Sequence, residues 1–298
     1  TTGLTTTEAG GTASFTIVLN TKPTTSVTIN LSSNNTNEGT VSPSSVTFTV
    51  DNWNTAQSVT ITGVDDNVDD DNISYSIVTS NTISTDSKYN GINVVDVSVT
   101  NTDNDVAGVT VTPTTGLTTT EAGGAATFTI SLATRPAANV TIAISSSNTA
   151  EGTVSPASVT ITSANWNVLQ TVTITGVDDN VVDGNIAYSI VTAMAVSSDT
   201  KYNGINPSDV SVTNTDNDVV GVVVNPVSGL STSEWGGQAT FTIRLSSQPL
   251  ANVSISLTSS NSLEGVPSPS SVTFTTSNWS TNQTITVTGV NDDIDDDD

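Results

Sequence analysis

The chain has 298 residues and a formal net charge of -24, from 29 Asp and Glu residues against 5 Lys and Arg. This charge repels nucleic acid and anionic membrane surfaces and favours cations as partners. The chain has no cysteine and no histidine, which excludes disulfides, zinc sites of the Cys/His kind and acid–base catalysis by histidine. No apolar run approaches the roughly 18 residues of a membrane span, so we expect no membrane insertion.

The sequence repeats itself with a period of 113 residues. The segment GLTTTEAGG at Gly3 returns unchanged at Gly116 and as GLSTSEWGG at Gly229. A period of this length is the size of an independent domain and too long for one turn of a solenoid. We therefore expect three domains, called repeats below: repeat 1 (1–105, its first strand lying before Thr1), repeat 2 (106–218) and repeat 3 (219–298, truncated at its carboxy-terminal end).

Within one repeat, apolar residues alternate with Thr and Ser at period two, which is typical of half-buried strands. No segment has helical spacing. The predicted strands, in chain order through the first period, are Phe15–Leu19, Val27–Leu31, Val46–Val50, Val59–Ile61, Ile73–Ile77, Val95–Val99 and Val109–Val111. Seven short strands separated by Gly, Asn and Pro predict an all-β fold of tandem immunoglobulin-like antiparallel sandwiches that lack the disulfide.

Carboxylates are concentrated in three groups that recur in register. The first is a Glu in a Glu-x-Gly-Gly turn, the second an Asp-rich loop after the fourth predicted strand, and the third a pair of Asp residues flanking an Asn. Clustered like charges disfavour one another's ionisation unless a cation compensates them, and calcium prefers these oxygen ligands. The candidate calcium ligands are Glu8, Asp65, Asp66, Asp70, Asp103, Asp105, Glu121, Asp178, Asp179, Asp183, Asp216, Asp218, Glu234, Asp292 and Asp296.

One observation limits this hypothesis. Asp69 and Asp71 become Val182 and Gly184 in repeat 2, which argues against an essential ligand role for those two carboxylates. The alternative is that the clusters are solvated acidic loops that promote solubility.

The Thr-Glu-x-Gly-Gly opening at Glu8, the Val-Thr-Ile-Thr-Gly-Val-Asp-Asp-Asn segment from Val59 and the closing Asp-Asn-Asp from Asp103 occur in this order. Together they resemble the Calx-beta family and related bacterial surface repeats of the adhesin or extracellular-fibre type. The resemblance implies an immunoglobulin-like sandwich with calcium bound by loops at one pole. It implicates Glu8, Asp66, Asp70, Asp103 and Asp105, and in repeat 2 Glu121, Asp179, Asp183, Asp216 and Asp218.

The repetition of the acidic groups favours a structural function over a catalytic one. An enzyme here would have to use carboxylate pairs alone, as glycosidases do, and a site copied every 113 residues suits a structural cation better. We therefore expect a non-enzymatic repeat of a long extracellular surface protein that forms a calcium-rigidified stalk or filament. The alternative is an adhesin module that binds a glycan or protein receptor. Expected partners are neighbouring repeats of the same chain, with lateral self-association into fibres and glycans as further candidates.

A Trp recurs at the same position of every repeat: Trp53, Trp166 and Trp279. It could stack on a sugar or close the open end of the sandwich. Trp235 stands apart, because it replaces Ala9 and Ala122 beside the repeated glutamate.

Overall fold

The computed structural model describes residues 3–291, so Asp292 and Asp296 of the expected ligands lie outside the described residues. Every helix or strand assigned in that range is a β-strand, which confirms the all-β prediction. Between residues 3 and 291 no helix has the length and hydropathy needed to cross a bilayer.

The strands of repeat 1 are β1 Leu4–Thr7, β2 Thr12–Ile17, β3 Val27–Ser33, β4 Gly39–Ser42, β5 Ser45–Phe48, β6 Gln57–Gly63, β7 Ile73–Thr79, β8 Ile83–Ser84 and β9 Val97–Thr102. Those of repeat 2 are β10 Val109–Thr112, β11 Leu117–Thr120, β12 Ala125–Leu132, β13 Val140–Ser146, β14 Gly152–Ser155, β15 Ser158–Ile161, β16 Gln170–Gly176, β17 Ile186–Thr192 and β18 Val210–Thr215. Those of repeat 3 are β19 Val222–Asn225, β20 Gln238–Leu245, β21 Val253–Ser256, β22 Gly265–Ser268, β23 Ser271–Phe274 and β24 Gln283–Gly289.

Repeats 1 and 2 are each built from two sheets. In repeat 1 one sheet has the order β1-β9-β7-β3-β5, and β8 also pairs with β3. The other sheet has the order β2-β6-β4. In repeat 2 the orders are β11-β18-β17-β13-β15 and β10-β12-β16-β14. The pairs β1–β9 and β11–β18 are parallel, and the other strand pairs described between residues 3 and 291 are antiparallel.

The core of each repeat lies between its two sheets. Val27, Ile29 and Leu31 alternate inward along β3 and meet Val59 and Ile61 from the opposite sheet. The repeated tryptophans are half-buried and pack against these cores. The backbone oxygen of each accepts the N–H of a buried leucine: Leu19, Leu132 or Leu245. This placement favours closure of the sandwich over sugar stacking, because much of each indole is unavailable to a ligand.

The structure adds short strands that hydrophobic alternation does not predict. β1 and β11 contain a single apolar residue each and are held by parallel pairing with β9 and β18. β4 and β14, with the sequence Gly-Thr-Val-Ser, are too short for a period-two signal.

Repeat 3 is less complete among the described residues. Its second sheet contains β21 and β23 alone, and the segment 230–233, which aligns with β1 and β11, is not a strand. β1 and β11 are held by β9 and β18, and no strand in the described part of repeat 3 takes the place of those partners.

Candidate metal centre

The acidic groups converge at one pole of repeat 1 and at one pole of repeat 2, because three chain segments end there. Glu8 follows β1, the Asp-rich loop 65–71 joins β6 to β7, and Asp103–Asp105 follows β9. Gly63 allows β6 to lie close to β1, because a Cβ at this position would collide with the carbonyl oxygen of Thr7. Gly176 has the same relation to Thr120 in repeat 2, so glycine is needed for the acidic loop to reach the glutamate.

The centre of each pole is a triad of carboxylates. In repeat 1, one carboxylate oxygen from each of Glu8, Asp103 and Asp105 lies within 4.8 Å of the others. In repeat 2 the same is true of Glu121, Asp216 and Asp218. Each glutamate is buried and the aspartates are half-buried.

Hydrogen bonds hold the acidic loop of repeat 1 against this triad. Asp103 Oδ2 accepts the backbone N–H groups of Asp70 at 3.1 Å and Asp71 at 3.0 Å. Asp103 Oδ1 accepts the N–H of Asp105 at 2.7 Å. The amide of Asn104 donates to Asp65 Oδ1 at 3.2 Å. Loop and triad therefore form one acidic surface.

Repeat 2 reproduces this arrangement. Asp216 Oδ2 accepts the N–H of Gly184 at 2.7 Å, and Asp216 Oδ1 accepts that of Asp218 at 2.7 Å. The Asn217 amide donates to Asp178 Oδ1 at 3.1 Å. Because the backbone contacts persist although Asp71 is replaced by Gly184, the fold of the pole does not depend on the carboxylate at that position.

The pole of repeat 1 has an excess of negative charge. Burial and the neighbouring Asp103 raise the pKa of Glu8 to about 7, although the N–H of Asn104 opposes the shift. Burial and adjacent carboxylates also raise the pKa values of Asp70 and Asp105. One oxygen of each of these two aspartates is buried and lacks a hydrogen-bond partner.

The pole of repeat 2 has the same electrostatic character. Burial raises the pKa values of Glu121 and Asp218, and neighbouring aspartates add to the effect. Asp218 Oδ2 is buried without a hydrogen-bond partner. Buried anionic oxygens without partners are costly, and a hard divalent cation that takes oxygen ligands removes this cost. The donor set therefore fits calcium.

The other predicted ligands lie at or near the poles. Asp66 Oδ1 accepts the N–H of Val68 at 2.6 Å, and the charge of Asp66 raises the pKa of Glu8. Asp179 has the same position in repeat 2 and accepts the N–H of Val181 at 2.7 Å. Asp183 is exposed, yet its charge contributes to the raised pKa values of Glu121 and Asp218.

Glu234 belongs to no carboxylate cluster within residues 3–291. It is half-buried in the turn before β20, and its expected companions Asp292 and Asp296 lie outside the described residues.

One acidic residue at the pole is missing from the sequence-based ligand set. Glu38 is buried, its Oε2 accepts the amide of Asn101 at 3.3 Å, and its charge raises the pKa of Asp70. Glu151 is buried in the same way and accepts the amide of Asn214 at 3.3 Å. The signal was available, because Asn-x-x-Glu-Gly recurs with the period of 113, with glutamates Glu38, Glu151 and Glu264.

The acidic loop of repeat 1 also contacts repeat 2, at what we call the first junction. Lys201 Nζ lies 2.6 Å from Asp69 Oδ1 and 2.7 Å from Asp71 Oδ1. Arg135 donates its backbone N–H to Asn67 O at 2.6 Å. Asp69 Oδ2 also accepts the N–H of Ala107 at 2.8 Å. Hydrogen bonds and ion pairs with Lys201 lower the pKa of Asp69 and raise that of Lys201.

The second junction, between repeats 2 and 3, keeps the backbone contact and changes the side chains. Gln248 donates its backbone N–H to Asn180 O at 2.6 Å. Val182 stands where Asp69 stands in repeat 1, and it lines an open cavity of about 370 Å³ together with Val220 and Leu250. Leu250 is 84% exposed, so the apolar side chains at this junction are loosely packed.

Comparison with protein-family models and with curated protein sequences finds no match. Among solved structures, the chain is similar to CBD12 from CALX1.2, with 12% identity, a TM-score of 0.31 and coverage of 71% of this chain and 96% of the other. The calcium binding domain CBD12 of CALX1.1 has 14% identity and a TM-score of 0.29, with coverage of 64% and 77%.

The surface layer protein SbsC, domains 1–6, has 14% identity and a TM-score of 0.28, with coverage of 88% of this chain and 28% of the other. At these levels of similarity, function must be inferred from the residues of this chain.

Proposed function

We propose that this chain is a non-enzymatic module of an extracellular surface protein, in which calcium at the pole of each repeat stiffens a stalk or filament. The observation that carries the proposal is the triad Glu8, Asp103 and Asp105, whose oxygens lie within 4.8 Å of one another, and its copy in repeat 2. Buried oxygens of Asp105 and Asp218 there lack hydrogen-bond partners.

The position of the triad links cation binding to the junction. Asp103–Asp105 follows the last strand of repeat 1, and the chain enters β10 of repeat 2 four residues later, at Val109. A cation held by Glu8, Asp103 and Asp105 would therefore fix the direction in which the chain leaves repeat 1. Asp65, Asp66 and Asp70, together with Glu38, would complete an oxygen shell of the size that calcium takes.

The free energy expected from calcium binding is small compared with the stability of a whole domain, but it is large enough to orient two neighbouring repeats. Extracellular calcium modules bind with dissociation constants of about 0.1 to 1 mM. At ten times the dissociation constant, each site adds about 1.4 kcal/mol, which favours one junction orientation roughly tenfold. Sites of this affinity would be filled outside the cell, where calcium reaches millimolar concentrations.

The test combines titration calorimetry with small-angle scattering on the full chain. We expect saturable calcium binding, and a maximum dimension that shortens or broadens in its distribution when calcium is removed. The variant Glu121→Gln/Asp218→Asn should lose one class of sites, whereas Asp51→Asn, which removes an exposed carboxylate away from the triads, should leave binding unchanged. Binding too weak to detect at 10 mM calcium would contradict the proposal.

A second candidate function rests on Trp235, which is 94% exposed in the Glu-x-Gly-Gly turn of repeat 3. Exposed indoles recognise sugars and protein surfaces, and repeats 1 and 2 have alanine at this position. Under this hypothesis repeat 3 carries an adhesive site. A Trp235→Ala chain that loses binding to a glycan array or to host-cell surfaces, while keeping its calcium response, would support adhesion.

A further inference from the structure

Repeat 3 differs from repeats 1 and 2 at three exposed positions around the end of β24. At each position repeat 3 has a side chain that is larger or more apolar than its counterparts, and the exposed fractions of the three are 94%, 64% and 46% in chain order. The replacements are Trp235 for Ala9 and Ala122, Leu263 for Asn37 and Ala150, and Val266 for Thr40 and Thr153.

These three positions face solvent in every repeat. The six aligned residues of repeats 1 and 2 are exposed as well, although the strands of the following repeat are described in both cases. A neighbouring repeat therefore leaves these positions uncovered at both junctions. The exposure of the three side chains in repeat 3 is thus a property of this surface in the fold.

The strand pairing places the three side chains around one end of a sheet. β20 and β22 flank β24, and at the pole Gly289 donates its N–H to Gly237 O at 2.9 Å and pairs with Gly265 on its other side. Since neighbouring strands lie about 4.8 Å apart, the starts of β20 and β22 are separated by about 10 Å. Trp235 and Leu263 lie in the turns that precede these two strands, so the two turns flank the end of β24.

Uncharged polar groups lie between the two turns. Gln238 pairs with Thr288, and Thr288 pairs with Val266, so their side chains form one cross-strand row. The row is on the outer face of the sheet, because its members are exposed or half-buried. The Gln238 amide donates to Thr288 Oγ1 at 3.3 Å. This amide is also particular to repeat 3, since the aligned residues are Thr12 and Ala125.

The charge and size of this surface decide which class of ligand it fits. The side chains in the row and in the two turns named above are uncharged, and the net charge of -24 repels anionic polymers and a second copy of the chain. A stable protein interface buries about 800 Å² on each side, whereas one indole offers at most about 250 Å². The surface is therefore too small for a protein partner and suits a few sugar rings.

A neutral saccharide with N-acetyl groups matches the chemistry of these side chains. The apolar C–H face of a pyranose ring packs on an indole. Its hydroxyl groups can exchange hydrogen bonds with Gln238 and Thr288, because an amide and a hydroxyl each donate and accept. The methyl group of an N-acetyl substituent adds apolar area that Leu263 and Val266 can cover, which a plain hexose does not offer.

We infer that the surface formed by Trp235, Leu263, Val266, Gln238 and Thr288, called the indole surface below, binds neutral oligosaccharides that contain N-acetylhexosamine. The inference rests on the second candidate function, adhesion through Trp235, and names its class of ligand. The ring of one sugar stacks on the indole, and the row of polar groups binds the hydroxyl groups. Repeats 1 and 2 have neither the indole nor the amide at these positions, so repeat 3 alone of the three binds the saccharide.

The first experiment titrates the full chain with tetra-N-acetylchitotetraose in millimolar calcium and follows the indole N–H signals of its 4 tryptophans by NMR. We expect a saturable shift of one signal, the one missing from Trp235→Ala, while the signals of the half-buried tryptophans stay in place. The glucose tetramer of the same linkage should bind several-fold more weakly. A Trp235 signal that does not move at 10 mM tetramer, or moves equally with the glucose tetramer, would overturn the inference.

The deacetylated tetramer tests the charge of the ligand. It is cationic and lacks the N-acetyl groups, so we expect it to bind the indole surface several-fold more weakly than the acetylated form. Tighter binding of the deacetylated tetramer would show that the acidic chain attracts a cation at this place, and the assignment to a neutral saccharide would be wrong.

The second experiment builds the indole surface in repeat 1, where Thr62 has the place of Thr288 in the cross-strand row. The substitutions at exposed, aligned positions are Ala9→Trp, Thr12→Gln, Asn37→Leu and Thr40→Val. We expect an additional indole signal that shifts with tetra-N-acetylchitotetraose over the same concentrations as that of Trp235. Ala9→Trp alone is the matched control and should bind several-fold more weakly. Equal binding by the two variants, or by neither, would contradict the role of the neighbouring side chains.

Adhesion and saccharide recognition can fail separately. If Trp235→Ala abolishes attachment to cell surfaces while no oligosaccharide shifts the Trp235 signal, adhesion stands and the saccharide inference is wrong. If tetra-N-acetylchitotetraose shifts the signal while Trp235→Ala attaches to cells as the parent chain does, the saccharide inference stands and the second candidate function is wrong.

Discussion

The two junctions of this chain keep the same backbone contact but differ in the side chains around it. Arg135 and Gln248, at aligned positions, donate their N–H groups to Asn67 and Asn180 over the same distance of 2.6 Å. At the first junction Lys201 bridges two carboxylates of the acidic loop. At the second junction Val182 and Gly184 replace those carboxylates, and a cavity lies beside Val182.

This difference distinguishes two contributions to the orientation of neighbouring repeats: calcium bound at the triads, and ion pairs between side chains of the two repeats. The triads of repeats 1 and 2 are alike, so calcium should act at both junctions. The first junction also has two cationic side chains of its own, Lys201 and Arg135, whose guanidinium lies 3.9 Å from Asp66. Both remain when calcium is removed. We therefore expect chelation to loosen the second junction more than the first.

The largest expected effect comes from removing the ligands. Because the chain has no cysteine, spin labels can be introduced at the exposed, aligned positions Thr47, Thr160 and Thr273. In millimolar calcium, Glu121→Gln/Asp218→Asn should broaden the 160–273 distance distribution to its calcium-free width, which corresponds to the loss of about 1.4 kcal/mol of orientational preference.

The matched variant at the first junction is Glu8→Gln/Asp105→Asn. It should broaden the 47–160 distribution less, because the contacts of Lys201 with Asp69 and Asp71 persist. Equal broadening at the two junctions would show that the lysine contributes nothing to orientation.

The second prediction concerns pH. Because the pKa of Glu8 rises from 4.5 to about 7 on folding, its protonated form stabilises the folded state, and this contribution is lost as pH rises through 7. The raised pKa values of Asp70 and Asp105 act in the same direction. Carboxylates with lowered pKa values, such as Asp86, lose their stabilising contribution only as pH falls below about 3.8, outside this window.

In calcium-free buffer, the unfolding temperature of repeat 1 should therefore decrease as pH rises from 5 to 8. A loss of about 1 kcal/mol of unfolding free energy corresponds to a decrease of several degrees. With calcium the dependence should reverse, because the cation binds the ionised form. Calorimetric scans of the parent chain and of Glu8→Gln make the comparison, and the variant should lose most of the calcium-free slope. A calcium-free stability that rises from pH 5 to 8 would contradict the assignment of buried charge to this pole.

The third prediction isolates the lysine. Lys201→Gln removes both ion pairs of this ammonium group, and solvent screening keeps the contribution of each pair small. Without calcium, the 47–160 distribution should broaden towards the width of the 160–273 distribution, with the Arg135–Asp66 contact left in place. Lys88→Gln is the matched control, because Lys88 forms no ion pair in the described part of the chain. Since Asp71 is 79% exposed, we expect most of the effect to come from the contact with Asp69.

The smallest effect is expected at Asp71, which has a positive φ of 68°. A non-glycine residue in this conformation is strained by roughly 1–2 kcal/mol, and repeat 2 has Gly184 there with φ of 79°. In Asp71→Gly, relief of backbone strain should nearly offset the loss of the ion pair with Lys201. The free energy of unfolding, measured by denaturant titration, should therefore stay within about 0.5 kcal/mol of the parent value. Asp71→Val should destabilise repeat 1 measurably, because a β-branched residue tolerates this φ poorly.

Much of the fold could be predicted from local sequence patterns. Runs such as Val27, Ile29 and Leu31 alternate in the sequence and point into the core in the structure. β1 could not be found in this way, because its single leucine carries no periodic signal and its pairing partner β9 lies more than 90 residues away. Glu38 recurs in register as Glu151 and Glu264, but it lies neither in an acidic run nor beside a glycine pair, so its place at the pole becomes evident only from its contact with Asn101.

The period of 113 residues, the all-β class and the three recurring acidic groups can be read from the sequence, because these features are local or repeat in register. The role of each carboxylate, by contrast, depends on tertiary contacts. Glu8 and Asp105 are far apart in the chain and meet because β1 pairs with β9. Asp69 and Asp71 contact a lysine 130 residues beyond Asp71, in the next repeat. Such roles depend on where strand ends and neighbouring repeats meet in space, which strand periodicity alone does not record.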